Sequence, residues 1–236
     1  MTTNRTFRIA AKLALAGAIS VVGLTATGTA AQAAPCTDGQ MIFAKPGVTT
    51  YGTACDDEII GTSGKDVVYG LGGDDEINTG TGADTIYGGD GADDIFSGSG
   101  ADRVEGDAGE DFIMGGFDND TINGGANDDI IRGEEGHDIL YSWSNGNDGD
   151  DELYGGDGND FLNGYEGHDQ VEGQFGDDTM VSHEIVPVRD NFVGGQGKDT
   201  FDVKDAIEHN SVNRDDVQKD NFDNPVTSKN VNDWIH

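Results

Sequence analysis

Polar and apolar positions recur along the chain with a period of nine residues between residues 52 and 202. Ten units follow one another to residue 141, four more span 146–181, and two span 185–202. Residues 142–145 and 182–184 interrupt the period, which gives sixteen units in all. Each unit joins a glycine-rich stretch of six residues to an apolar stretch of three. This division predicts a turn followed by a short β-strand.

Two places of the unit keep one chemistry through all sixteen repeats. The sixth place is aspartate: Asp57, Asp66, Asp75, Asp84, Asp93, Asp102, Asp111, Asp120, Asp129, Asp138, Asp151, Asp160, Asp169, Asp178, Asp190 and Asp199. The eighth place is apolar: Ile59, Val68, Ile77, Ile86, Ile95, Val104, Ile113, Ile122, Ile131, Leu140, Leu153, Leu162, Val171, Met180, Phe192 and Phe201. A disordered acidic chain would not hold two positions constant. Because side chains alternate along a strand, we expect the eighth place to point inward and the seventh and ninth to point outward.

Two units form one 18-residue coil, in which two short parallel strands face each other across a thin core. Residues 88–96 and 155–163 match the pattern G-G-x-G-x-D-x-U-x at every defined place,. In these motifs the chain resembles the RTX, or haemolysin-type calcium-binding repeat, family over residues 52–202. The resemblance implies an all-β fold, a parallel β-roll built as a right-handed solenoid of two sheets, with calcium between the coils.

The resemblance also implies which groups hold the ions, namely sixth-place carboxylates and the backbone carbonyls of fourth-place glycines. The carboxylates are those of Asp66, Asp75, Asp84, Asp93, Asp102, Asp111, Asp120, Asp129, Asp138, Asp151, Asp160, Asp169, Asp178 and Asp199. The glycines are Gly64, Gly73, Gly82, Gly91, Gly100, Gly109, Gly136, Gly149, Gly158, Gly167, Gly176 and Gly197. Asp57 and Asp190 are in doubt as ligands, since their units have Cys55 at the fourth place and no glycine, respectively. Asp118 and Asn127 take the fourth place in two weaker units and tolerate a left-handed backbone.

Composition alone would predict disorder. The chain has 46 acidic against 13 basic residues and a formal net charge of −33, and Leu, Ile, Val and Phe make up 49 of its 236 residues,. In stacked coils, neighbouring aspartates about 4.8 Å apart would repel by about 3.5 kcal/mol per pair at an effective dielectric of about 20. We therefore expect the metal-free chain to be largely disordered and calcium to drive its folding. Magnesium demands tighter octahedral geometry, and no cluster of thiols or histidines favours zinc.

The two ends of the chain lie outside the repeats. Residues 1–33 have the pattern of a secretory signal peptide, with Arg5, Arg8 and Lys12 before an apolar stretch and a small-residue cleavage site at 31–33,; a membrane anchor is the alternative. Residues 34–51 are expected to form an N-terminal cap. A disulfide between Cys36 and Cys55 is expected there, with two buried thiols as the alternative. Residues 203–236 are expected to form a C-terminal cap or a disordered tail.

Several functional classes are disfavoured. The strong negative charge disfavours nucleic-acid binding, and the apolar stretch near the N-terminus is too short for a stable membrane span. Neither HExxH nor GxSxG occurs, and the residues outside the repeats are too few for a catalytic domain. We therefore expect no enzyme but a secreted calcium-binding module that leaves the cell by the general secretory route. His137 and His168 are expected to be exposed polar residues of turns.

The outward positions of even-numbered units form a surface with few charges. It carries Val67, Tyr69, Thr85, Tyr87, Thr121, Ile139, Tyr141 and Phe161, with Arg103 and Glu105 as its main charges. One hypothesis is that this face docks a cell-surface polymer or another copy of the chain, which would make the protein a calcium-dependent adhesin or a self-assembling surface protein. The alternative is ordinary outward packing of residues that favour β-strands. A regular threonine ladder of the kind an ice-binding face requires is absent from this surface.

Overall fold

A computed structural model describes residues 39–144, 149–184, 190–205 and 217–218, and all of its described secondary structure is β. Ten strands form one parallel sheet in the order β1 (Met41–Phe43), β3 (Glu58–Ile60), β5 (Glu76–Asn78), β7 (Asp94–Ser99), β9 (Phe112–Phe117), β11 (Ile130–Glu135), β13 (Glu152–Asp157), β15 (Gln170–Phe175), β17 (Asn191–Gln196) and β19 (Val217–Gln218). Nine strands form the second in the order β18 (Thr200–Asp205), β16 (Thr179–Glu184), β14 (Phe161–Asn163), β12 (Ile139–Tyr141), β10 (Thr121–Ala126), β8 (Arg103–Ala108), β6 (Thr85–Asp90), β4 (Val67–Gly72) and β2 (Thr50–Tyr51).

The register of both sheets follows the repeat. Each strand pairs with the strand two units away, so that equal places stand side by side, as Ile77, Ile95 and Ile113 do. The four extra residues do not shift this register, because Ile131 pairs with Leu153 across them. The predicted all-β fold of two parallel sheets in a β-roll is therefore confirmed. Since odd and even strands alternate between sheets, the two turn stacks run along opposite edges of the solenoid.

The core is the pair of eighth-place columns predicted from the repeat. Side chains from Ile59 to Met180 in these columns are at most 1% exposed, and Phe192 is 4% exposed. The seventh and ninth places on either side are mostly half-buried or exposed, which confirms the predicted alternation. Three ninth-place residues differ, since Asn123, Asn163 and Val181 are buried. The reason at Asn123 is the stretch after β12, because the Trp143 N–H donates to Asn123 Oδ1 at 2.9 Å.

Many strands are longer than the three residues expected. Twelve of the described strands have six residues, and ten of these, β6 among them, continue through the first three places of the next unit. The register continues as well, with Leu71 beside Gly89 and Gly89 beside Asp107. The first half of the glycine-rich segment is thus part of the sheet, and the bend is concentrated in the second half.

The first interruption begins one residue later than its sequence position indicated. The Ser142 N–H donates to the Asn163 carbonyl, the bond that first-place residues such as Gly61 make to the ninth place of the next coil. Ser142 therefore takes the first place of its coil, and the extra residues follow it. The interruption lies within a turn, where added length does not disturb strand pairing.

At the N-terminal end, residues 39–51 add β1 and β2 to the edges of the two sheets. A two-residue reversal between them is closed by an antiparallel bridge between Lys45 and Val48. The predicted signal peptide and Cys36 lie outside the described residues, as does most of 203–236. Among the described residues no helix is long and apolar enough to cross a membrane.

Candidate metal centre

The sixth-place aspartates form two buried ladders, one along each turn stack. Nearly all are at most 3% exposed, and Asp190 is 9% exposed. From Asp57 to Asp178, the backbone N–H of each donates to Oδ1 of the equivalent aspartate one coil further on, for example from Asp57 to Asp75 and from Asp75 to Asp93, at 2.7 and 2.8 Å. Asp169 donates in the same way to Asp190, and Asp178 to Asp199, at 3.1 Å. The repeat thus fixes one carboxylate oxygen with a peptide donor of the neighbouring coil.

The second carboxylate oxygen, Oδ2, is buried and has no hydrogen-bond partner in many of these residues. The aspartates with a buried, unbonded Oδ2 and no side-chain hydroxyl beside the carboxylate include Asp75, Asp93, Asp120, Asp129, Asp138, Asp160 and Asp178. Asp84 and Asp102 also have a buried, unbonded Oδ2. Burial raises the pKa of both carboxyls, and the hydroxyls of Thr79 and Ser97 partly oppose that rise. An ionised oxygen left without a partner in the interior is costly unless a cation or a proton compensates it.

First-place glycines leave open the space in front of these oxygens. A Cβ added at Gly70 would lie 2.5 Å from Asp75 Oδ2, and one at Gly124 would overlap Asp129 Oδ2. The same added atom at Gly70 would overlap the carbonyl oxygen of Gly88, the first-place residue of the next coil. Carboxylate and carbonyl oxygens therefore border one space in each turn, and both are ligands that calcium prefers.

Most described fourth-place residues have the positive φ that the sequence predicted. Gly73, Gly91 and Gly109 have φ values of 102°, 131° and 147°, and Asp118 and Asn127, which replace glycine at this place, have φ of 75° and 78°. A Cβ at Gly91 would overlap the Gly73 carbonyl oxygen. Fourth-place carbonyls consequently point along the turn stack toward the next coil. The use of these carbonyls as ligands stays a prediction.

Burial raises the pKa of several ladder aspartates. It raises the pKa of Asp129 to about 9, and the like charges of Asp111 and Asp151 in the adjoining coils add to the effect. Burial likewise raises the pKa of Asp75 and Asp120 to about 8. The hydrogen bond from the preceding coil's N–H opposes the rise in each case. Desolvation is the larger cause of the raised pKa and repulsion along the column is the smaller one. Only the repulsion was expected from the sequence.

No three His, Cys, Asp or Glu side chains converge on one point within the part of the chain that the structure describes. Neighbouring sixth-place aspartates can supply two carboxylates to one space, and calcium takes six to eight oxygens. Backbone carbonyls must therefore complete any calcium shell in these turns. The glycine-rich turns meet this requirement, because glycine has no side chain to obstruct the carbonyl oxygens.

Two of the sixth-place aspartates have a different environment. Asp66 Oδ2 accepts hydrogen bonds from the Thr62 N–H at 2.6 Å and the Thr62 hydroxyl at 3.0 Å. Asp57 Oδ2 accepts the same pair from Thr53, at 2.6 and 2.8 Å. The doubt about Asp57 rested on Cys55, but the threonines are what set these two turns apart. Asp66, predicted as a calcium ligand, does not have the buried, unbonded Oδ2 of aspartates such as Asp75 and Asp93.

A second ladder at the fifth place was missed from the sequence. Its side chains accept from the backbone one coil further on, as when the Ala92 N–H donates to Asp74 Oδ1 and the His168 N–H to Asp150 Oδ1. His137 is exposed, as predicted, yet its Nδ1 accepts from the Asn159 N–H at 2.7 Å. The signal was present in the sequence, because Asp, Asn or His fills the fifth place in nine of the sixteen units.

Cys55 is disulfide-bonded. Because the chain has two cysteines, the expected partner is Cys36, which lies outside the described residues, and this pairing stays a prediction.

The repeat region matches the family described as RTX calcium-binding nonapeptide repeat in four copies, at residues 51–85, 69–104, 105–140 and 145–180. These stretches cover more than half of the 236 residues. A search of curated proteins found no match.

Proposed function

Because this chain belongs to the RTX family of calcium-binding nonapeptide repeat proteins, we propose that it is a secreted protein whose repeat region folds when calcium binds. The folded solenoid then acts outside the cell as a binding or structural module. The observation that carries the proposal is the column of buried Oδ2 atoms without hydrogen-bond partners. A fold that leaves so many carboxylate oxygens unpaired is incomplete without cations.

The ions would be held by carboxylates of Asp75 and the sixth-place aspartates that follow it to Asp178, together with Asp199. Carbonyl oxygens of the glycine-rich turns would complete each shell. Calcium would supply the positive charge that offsets burial of the carboxylates. The chain's own contribution is to hold Oδ1 with a peptide N–H, so that Oδ2 stays fixed at the space beside the first-place glycine.

Folding on calcium follows from the same energetics. The hydrophobic core is only two columns of side chains, while each coil buries two aspartates whose ionised form desolvation disfavours. Binding free energy that is gained only in the folded state becomes folding free energy. The predicted signal peptide supports passage through the general secretory route, and low intracellular calcium would keep the chain unfolded until export.

Isothermal titration calorimetry of the mature chain tests the proposal. We expect several calcium ions per chain to bind at neutral pH, with little heat from magnesium at equal concentration. Binding of no more than one calcium ion would overturn the proposal. No catalytic role is proposed, since the buried carboxylates lie in the ladders.

A second candidate function, a calcium-dependent adhesin or self-assembling surface protein, is supported by the outer face of the nine-stranded sheet. Tyr51, Tyr69 and Tyr87 stack there with ring centroids 5.2 and 4.6 Å apart. Further along, Ile139 and Phe161 are 44% and 38% exposed. We propose that this face contacts a cell-surface polymer or a second copy of the chain.

Glutamate at Tyr69, Tyr87 and Tyr141 should abolish calcium-dependent binding to whole cells or self-association while leaving the calcium stoichiometry unchanged. Sedimentation velocity of the purified chain distinguishes the two occupants, because only self-association appears without cells. Binding that survives the triple substitution would exclude this face.

A further inference from the structure

The first two repeat turns differ from the later ones in how their carboxylates are satisfied. The carboxylates of Asp57 and Asp66 accept hydrogen bonds from the chain itself. Asp57 Oδ1 accepts from the Gln40 N–H at 2.7 Å, and Asp66 Oδ1 lies 3.2 Å from the Thr62 hydroxyl, whose one proton it shares with Oδ2. Both Oδ2 atoms are bonded by the N–H and hydroxyl of a threonine four residues earlier. Both Oδ2 atoms thus have protein donors, whereas Oδ2 of later aspartates such as Asp75 and Asp93 is buried and unbonded.

The threonines occupy the second place of the unit, where the later turns have another conformation. From the third unit onward, every second-place residue that the structure describes has positive φ, as at Gly89 (120°), Gly116 (116°) and even Leu71 (83°). Neither Thr53 nor Thr62 does. A β-branched residue strongly disfavours positive φ. Threonine therefore selects the conformation that turns its own N–H and hydroxyl onto the aspartate.

The first two repeat turns and the later ones also differ in the charge of the chain around them. Residues 39–69 contain four acidic and two basic residues, whereas residues 70–141 contain nineteen acidic and two basic residues. The first region therefore has little self-repulsion for cations to relieve. The boundary falls between Asp66, which threonine satisfies, and Asp75, whose Oδ2 is buried and unbonded.

Residues 39–69 have the usual hydrogen bonds between coils and, in addition, a closed reversal and a disulfide-bonded cysteine. The Ala44 N–H donates to the Ile60 carbonyl at 2.8 Å, which holds β1 on the edge of the ten-stranded sheet. Lys45 and Val48 close the reversal that leads to β2. Cys55, in the first repeat turn, is disulfide-bonded. A disulfide and a short reversal both lower the entropy lost on folding.

From these observations we infer that the turns of Asp57 and Asp66 take no calcium, and that residues 39–69 form a metal-independent template onto which calcium-loaded coils add. This inference rests on the proposed calcium-driven folding of the later coils. The template presents the N–H groups of Asp57 and Asp66, which in the complete solenoid donate to Asp75 and Asp84 Oδ1 at 2.7 and 2.8 Å. The next coil thereby finds its register before its ions are bound.

Hydrogen exchange followed by mass spectrometry of the full mature chain tests the inference. In excess chelator, amides of residues 39–69 should exchange at least tenfold more slowly than in the urea-unfolded chain, while those of residues 88–141 exchange at the unfolded rate. Equal, unfolded-rate exchange in both segments would overturn the template. Protection of both segments in chelator would instead overturn calcium-driven folding, so the two failures are distinguishable.

One substitution tests the role of threonine itself. Thr62→Gly restores the full consensus in the second unit, as Gly61-Gly-Ser63-Gly64-Lys65-Asp66. We expect this variant to lose protection of residues 39–69 in chelator and to regain it in calcium. Thr62→Ser keeps the hydroxyl and is the matched control, expected to exchange like the parent. If the glycine variant stays as protected as the serine variant in chelator, the threonine does not replace the ion.

Discussion

Asp129 offers the sharpest test of the ladder, because its side chain is 1% exposed and burial raises its pKa to about 9. Its pKa of about 9, against an ordinary 3.8, means that keeping this side chain in the metal-free fold at pH 7 costs about 4 kcal/mol,. Calcium must supply at least this much in each such turn. Asp129→Asn keeps an oxygen to accept the Asp111 N–H but removes the charge that holds the ion.

We expect Asp129→Asn to lower the free energy of unfolding in saturating calcium by about 2–4 kcal/mol. The lost ion contact accounts for a tenfold to hundredfold weaker affinity, and the hydrogen bond loses its charge. The same variant should bind one ion fewer. In chelator the relief of about 4 kcal/mol would not restore folding, because unpaired carboxylates such as Asp93 and Asp120 remain.

The assay is urea unfolding followed by far-ultraviolet circular dichroism, with ion counting by calorimetry. Asp128→Asn is the matched control, since it removes the same charge one residue earlier at an exposed fifth place. The control should change stability by less than about 0.5 kcal/mol. Equal loss in the two variants, or greater loss in the control, would refute the assignment of the buried ladder as the calcium site.

Three further outcomes are expected. In chelator the β signal in circular dichroism should rise as the pH is lowered from about 9 to about 5.5. The raised pKa values of Asp75 and Asp129 mean that protonation favours the folded chain, and this stabilisation is complete below about pH 4 and lost as the pH rises through about 8 and 9,. A signal that stays unchanged or falls would contradict the expectation. Gly124→Ala should weaken calcium binding at least tenfold, because the added Cβ fills the space beside Asp129 Oδ2,. Gly64→Ala is the control and should not weaken binding, since a Cβ there meets nothing within 4 Å. Equal calcium affinities of the two variants in calorimetry would exclude the space beside Oδ2 as the calcium site. Leu71→Gly should raise stability in calcium by about 1 kcal/mol by relieving its positive φ, whereas Leu71→Ala should not; urea midpoints that move together would refute the strain,.

The fold could be predicted from the sequence because a single period determines it. An aspartate and an apolar residue at fixed places specify which side chains point inward, and the register of parallel strands follows from the repeat length. Ile77 and Ile95 pair as the period requires. The length of the strands was not predictable in this way, because the pairing of glycine-rich backbone leaves no pattern of side chains.

The candidate site was predicted only in part. The aspartates could be identified from the sequence, but the different contacts of their two carboxylate oxygens could not. Oδ1 accepts a peptide N–H, and Oδ2 faces the first-place glycine. The hydrogen bonds from Thr62 to Asp66, four residues later, could not be predicted, because the nine-residue period does not encode them.

Circular dichroism of the mature chain in excess chelator and in excess calcium at pH 7.5 tests the central claim most directly. The account predicts little β signal in chelator beyond that of residues 39–69 and a cooperative gain of β structure as calcium is added, reversed by chelator. A full β spectrum that persists in chelator would contradict it, because the unpaired Oδ2 atoms would then be tolerated without any cation.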